Sequence, residues 1–122
     1  MIIYIAIAVA IIFGYMIIKN QGQNFSLEQL AEDLSEGGVL VDVRSASEFQ
    51  SGHAKGAENV TLQAIQSGTM PSNNKQKPVY LYCHSGARAA SASSLLKRAG
   101  YEHVINIGSL TRWRKMGGKV VS

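Results

Sequence analysis

The chain has 122 residues, 46% of them hydrophobic and 16% charged, with a mean hydropathy of +0.02 and a formal net charge of +4. That length leaves room for one domain with a short appendage. The single cysteine excludes an internal disulfide, and one cysteine with three dispersed histidines shows no metal-ligand spacing, so neither a metal nor a cofactor is expected.

The appendage comes first. Residues 2–18 carry no charge and a single glycine, Gly14. As a helix this run would rise about 26 Å, the short end of what a bilayer core needs. It is therefore expected to form one transmembrane helix, an anchor over residues 1–19, with Lys19 snorkelling and Tyr4 and Tyr15 near the two interfaces. No Lys or Arg precedes the run and no Ala-x-Ala site follows it, which argues against a cleaved signal peptide. A buried core helix fits less well, because the run is apolar all round and a complete domain follows it. Lys19 is the only basic residue beside the span. Positive-inside logic then puts the domain of a single-pass protein in the cytoplasm, and the extracytoplasmic side stays open.

Residues 20–24 read as a polar linker and residues 25–122 as an α/β domain. Ser26 and Gln29 have capping-box spacing at the start of a helix, with Phe25 and Leu30 placed for a hydrophobic staple. Gly37-Gly38 stops that helix. Val39-Leu40-Val41-Asp42-Val43 is a nearly continuous apolar strand, as a parallel sheet covered on both faces requires. Ser45-x-x-Glu48 opens a short helix ending near Gly52, and another is expected over Leu62–Ser67. Gly68–Lys77, with Pro71, Asn73 and Asn74, is a polar connection. A strand over Val79–Tyr82, a helix from Ala87 to Lys97 and a strand over Val104–Ile107 complete the alternation, which predicts a parallel sheet flanked by helices.

Charge is unevenly spread. Residues 75–122 hold nine basic side chains against one acid, Glu102, a net +8, whereas residues 1–74 are at net −4. A cationic field around the second half would draw in small anions. An anionic membrane surface is a second partner for it, and a solvated helical face is the plain alternative. No aromatic-interleaved basic motif accompanies the charge, so nucleic acid is not expected.

Cys83 lies in that half. The order Val79-Tyr80-Leu81-Tyr82-Cys83-His84-Ser85-Gly86-Ala87-Arg88 is a strand, a short glycine-containing turn and the start of a helix. Backbone N–H groups and the positive helix end converge there, which stabilises a thiolate or a bound anion. Arg88 adds a fixed cation with several donors. A thiol in this setting is nucleophilic at neutral pH, whereas a buried structural cysteine would be inert.

Asp42-Val43-Arg44, Glu48-Phe49, Gly52-His53 and Gly56-Ala57-Glu58-Asn59-Val60 together resemble the first signature of the rhodanese family. Cys83-x-x-Gly86-x-Arg88 is similar to that family's active-site loop, and Ala99-Gly100-Tyr101, Val104 and Gly108–Gly117 to its closing segment. The resemblance runs from about residue 24 to about residue 120 in order. It implies a rhodanese-like fold and a thiosulfate:cyanide type of sulfurtransferase. Cys83 would take a sulfane sulfur from a small anionic donor as a persulfide. His84, Ser85, Gly86, Ala87 and Arg88 would hold the terminal sulfur and the donor. With no second cysteine, the acceptor is external: cyanide, a small thiol or a protein thiol. Asp42 and Arg44 are expected to tie the strand end to its loops, with Arg44 near enough to affect the donor. Glu48 and His53 read as scaffold, His103 as surface and Trp113 as packing.

Three other readings stand beside this one: a tethered persulfide carrier, a thiol redox sensor and a cysteine phosphatase. Cysteine phosphatases use a loop one residue longer, and no aspartate here can be nominated as their general acid. Departures from the family lie at Ala89, where serine is common, at Ser109, which replaces a second glycine, and at Gly118-Lys119, where Leu-Pro is common.

Overall fold

The computed structural model describes residues 1–20 and 22–122, with the side chains of residues 16–20 outside the description. The side chain of Lys19 and residue 21 of the linker therefore lie outside the description.

Helix α1, Ile2–Asn20, forms as expected, and its large apolar side chains from Ile2 to Tyr15 are exposed. Among the described residues, however, no helix is long and apolar enough to cross a membrane. The single-pass anchor is to that extent unsupported.

The domain follows in α/β order: α2 (Leu27–Ser35), β1 (Val39–Asp42), α3 (Ala46–Ser51), β2 (His53–Ala54), β3 (Glu58–Asn59), α4 (Leu62–Gln66), β4 (Val79–Cys83), α5 (Ala87–Arg98), β5 (Val104–Ser109), α6 (Leu110–Lys115) and β6 (Val120–Val121). Strands β3, β1, β4 and β5 form one parallel sheet in that order, and β2 pairs antiparallel with β6. All five residues of β4 are buried, so its side chains serve both faces of the sheet. Val79, Leu81 and Cys83 join a core with Ala89, Ala92 and Leu96 of α5, while Tyr80 and Tyr82 join Leu30 and Trp113 on the opposite face.

Helix caps match the sequence in part. Ser45 and Glu48 form the full capping box of α3. At α2, Ser26 Oγ accepts from Gln29 N–H, but the Gln29 side chain donates to Asp33 instead of returning to Ser26. The box expected there is only half made. Trp113 is buried as expected, with its indole N–H donating to Lys119 O, and His103 is exposed. Gly118 lies so close under the Trp113 ring that a Cβ would collide with it. The Leu-Pro pair common at 118–119 in the family is thus incompatible with this ring position.

Candidate active site

Cys83 ends β4, the second central strand of the sheet, and Gly86 caps α5. Gly86 adopts the left-handed region at φ 98°, which glycine enters without steric cost. That turn points the Gly86 N–H back at Cys83 Sγ, 3.0 Å away, and the Ala89 N–H reaches the same sulfur at 3.4 Å. Gly86 supplies no side-chain cap, so the sulfur itself takes the place of a capping oxygen on the first turn of α5. An anionic sulfur gains most from such a position, because two N–H donors and the positive helix end act together.

Cys83 is 0% exposed. His84, Ser85 and Ala87 are exposed, whereas Gly86 is buried. The structure thus brings two groups onto the sulfur, Gly86 N–H and Ala89 N–H. Ala89 was not among the candidate site residues, since its side chain is a departure from the family pattern and only its backbone acts. The signal available in sequence was position: it is the third residue of a helix whose cap cannot offer an oxygen.

The Arg88 guanidinium bonds Glu48 and makes no hydrogen bond to the sulfur. Its Nη1 and Nη2 donate to the two carboxylate oxygens of Glu48 at 2.6 and 2.9 Å. Glu48 Oε1 also accepts from Ser45 N–H and Ser45 Oγ. The Arg88 guanidinium, followed by the Ser45 contacts, holds the Glu48 carboxyl at about 2, well below the usual carboxylate range. Glu48 in turn raises Arg88, with a smaller contribution from Cys83. Arg88 and Ser45 line an open depression of about 440 Å³ with Val43, Ala46, Thr61 and Leu62.

Asp42 and Arg44 build the floor. The Asp42 carboxylate is fully buried and accepts from Arg44 N–H, Nε and Nη2, and from the Tyr82 hydroxyl at 2.7 Å. Arg44 Nη2 also donates to Gly52 O at 2.6 Å, and Ala54 N–H donates to Tyr82 Oη. Burial is the main reason the Tyr82 hydroxyl titrates well above its ordinary value. Asn59 closes the loop by donating to Asp42 O and Arg44 O. These bonds lock the ends of β1 and β4 together. Arg44 is thereby committed to the scaffold rather than to a donor. His53 is scaffold as well, stacked on Phe49 at 3.7 Å and bonded through Nδ1 to Phe49 O. Among the described residues no cluster could hold a metal ion.

Comparison with known proteins places this arrangement. The rhodanese-like domain family matches residues 26–116. The uncharacterized protein YqhL of Bacillus subtilis is 34% identical over 125 aligned positions, covering 98% of this chain and 94% of that protein. A sulfurtransferase of Allochromatium vinosum is 32% identical over 104, covering 84% of this chain and 95% of its own. The structure of the human single-domain sulfurtransferase TSTD1 superposes with a TM-score of 0.63 at 25% identity, covering 75% of this chain and 95% of that one. A buried cysteine on a helix start, at the end of a central parallel strand, thus comes with kinship along most of the chain, and the protein belongs to the rhodanese-like domain family.

Proposed function

We propose that this protein is a sulfurtransferase that carries a sulfane sulfur on Cys83. The observation that carries the reading is the pair of N–H donors on Cys83 Sγ at the start of α5. The thiolate attacks the outer sulfur of a donor such as thiosulfate. The donor S–S bond breaks, sulfite leaves with the bonding electrons, and Cys83 is left as a persulfide. An external nucleophile then takes the terminal sulfur and the thiolate returns, so no oxidant or reductant is consumed. The kinship with sulfurtransferases supports sulfur transfer in general. In this reading Cys83 is the nucleophile, the loop from His84 to Ala87 cradles the terminal sulfur and Arg88 is the cation beside it.

Intact-mass measurement of the full chain after thiosulfate treatment tests the proposal. The expected result is a gain of one sulfur atom on Cys83, removed by cyanide as thiocyanate. A thiol left unmodified by thiosulfate would remove the reading, while an adduct resistant to cyanide would make the protein a carrier for a partner thiol.

The exposed apolar surface of α1 supports attachment of the domain to a membrane. Under this reading the full chain cosediments with phospholipid vesicles, and a chain lacking residues 2–18 stays in the supernatant. Equal partitioning of the two would remove the attachment.

A further inference from the structure

Arg88 is the one charged residue among those lining the depression beside the loop; the others are aliphatic, hydroxyl or amide side chains. Its charge is matched by Glu48 through a two-point contact at 2.6 and 2.9 Å. The side chains are 38% and 34% exposed, so water reaches both and an arriving anion meets the pair rather than a free guanidinium. Glu48 is not a chance neighbour. It is fixed by the capping box of α3, and its charge persists at any physiological pH because its carboxyl is held near 2. The one charge lining the depression is consequently cancelled by its partner, although residues 75–122, which include Arg88, are strongly basic as a segment.

We propose that Glu48 is a specificity-determining residue: by cancelling the charge of Arg88 at the loop mouth it disfavours dianionic sulfur donors relative to donors of lower charge. The inference rests on the sulfurtransferase reading and names the substrate class of the same site. Thiosulfate, a dianion, would then be a serviceable but poorly matched donor, and organic thiosulfonates and persulfides better ones. Coulomb energy scales with ligand charge, so any change at Glu48 acts on a dianion with twice the exponent it has on a monoanion.

The test uses the full chain with two donors of like reacting end, thiosulfate and the monoanion methanethiosulfonate, and cyanide as acceptor. Cys83 attacks the terminal sulfur of either, and sulfite or methanesulfinate leaves with the electron pair. Glu48→Gln keeps a carbonyl oxygen for Ser45 N–H and for Arg88 but removes the charge. We expect its kcat/KM to rise about threefold for the monoanion and about tenfold for the dianion, the gain residing in KM. Near 1 M salt, where the screening length is about 3 Å, the gain shrinks. Glu48→Asp retains the charge and should keep the wild-type ratio of the two donors. A ratio unchanged in Glu48→Gln, or shifted equally in Glu48→Asp, would overturn the inference while leaving sulfur transfer intact. Failure of the wild type to use either donor would overturn both together.

Discussion

Replacement of Cys83 by serine should abolish sulfur transfer, lowering thiosulfate-dependent thiocyanate formation by about a thousandfold or more. A hydroxyl remains protonated at neutral pH and cannot form the persulfide. The same substitution should leave the fold almost untouched. Cys83 Sγ accepts from Gly86 N–H and Ala89 N–H, and a serine hydroxyl, close to it in size, can accept from the same two donors. Near-wild-type melting with no turnover is therefore the expected pair of results. A serine variant with full turnover would displace Cys83 as the nucleophile. A variant that fails to fold would mean the sulfur is chiefly a packing element among Leu81, Ala89 and Ala92.

The second large effect is expected in stability. Arg44→Ala should cost about 3–5 kcal/mol, because it leaves the fully buried Asp42 carboxylate with the residue-44 N–H and the Tyr82 hydroxyl but no cation. For a domain whose whole stability is about 5–15 kcal/mol, that is a large fraction. Arg44→Lys should rescue little, since one ammonium cannot reproduce the fork from Nε and Nη2 to Asp42 together with the bond to Gly52 O. Tyr82→Phe should cost about 1–3 kcal/mol, as it removes one donor to Asp42 and orphans Ala54 N–H. Urea unfolding midpoints would give this order directly. Equal costs for Arg44→Ala and Tyr82→Phe would mean that the cation adds nothing beyond a neutral hydrogen bond at Asp42. Activity per folded molecule should change far less than stability, because none of these groups bonds to Cys83.

The sequence was most legible where a residue's role follows from its neighbours in the chain. The apolar run before Cys83, the glycine after it and the helix beyond were enough to place the sulfur on a helix start. Ser45 and Glu48 advertised their capping box within four residues. Pairings across the chain were another matter. Arg88 was expected to face the donor, yet it is taken by Glu48, 40 residues earlier, a contact that no local spacing encodes. The charge excess of the second half suggested a cationic site for the same reason: counting by segment misses acids that fold in from elsewhere. Strands β2, β3 and β6 span two residues each and have no periodicity to read. Helix α6 is six residues long and was not anticipated; Ser109, noted only as a missing glycine, is its cap, accepting from Arg112 N–H.

The strand order β3-β1-β4-β5 also bears on when the strand end carrying Cys83 is set in place. Tyr82 pairs in register with Asp42, and the hydroxyl of the one reaches the carboxylate of the other, so the strand bearing Cys83 is fixed from far upstream in the chain. Contacts of that sequence separation are entropically costly and form late in folding. In a nascent, partly unfolded or proteolysed chain Cys83 therefore sits on an unpaired segment, and only the finished domain holds it at the end of a paired strand. Assembly of the sheet is in this sense the step that sets the position of the sulfur, and loss of β1–β4 pairing undoes it.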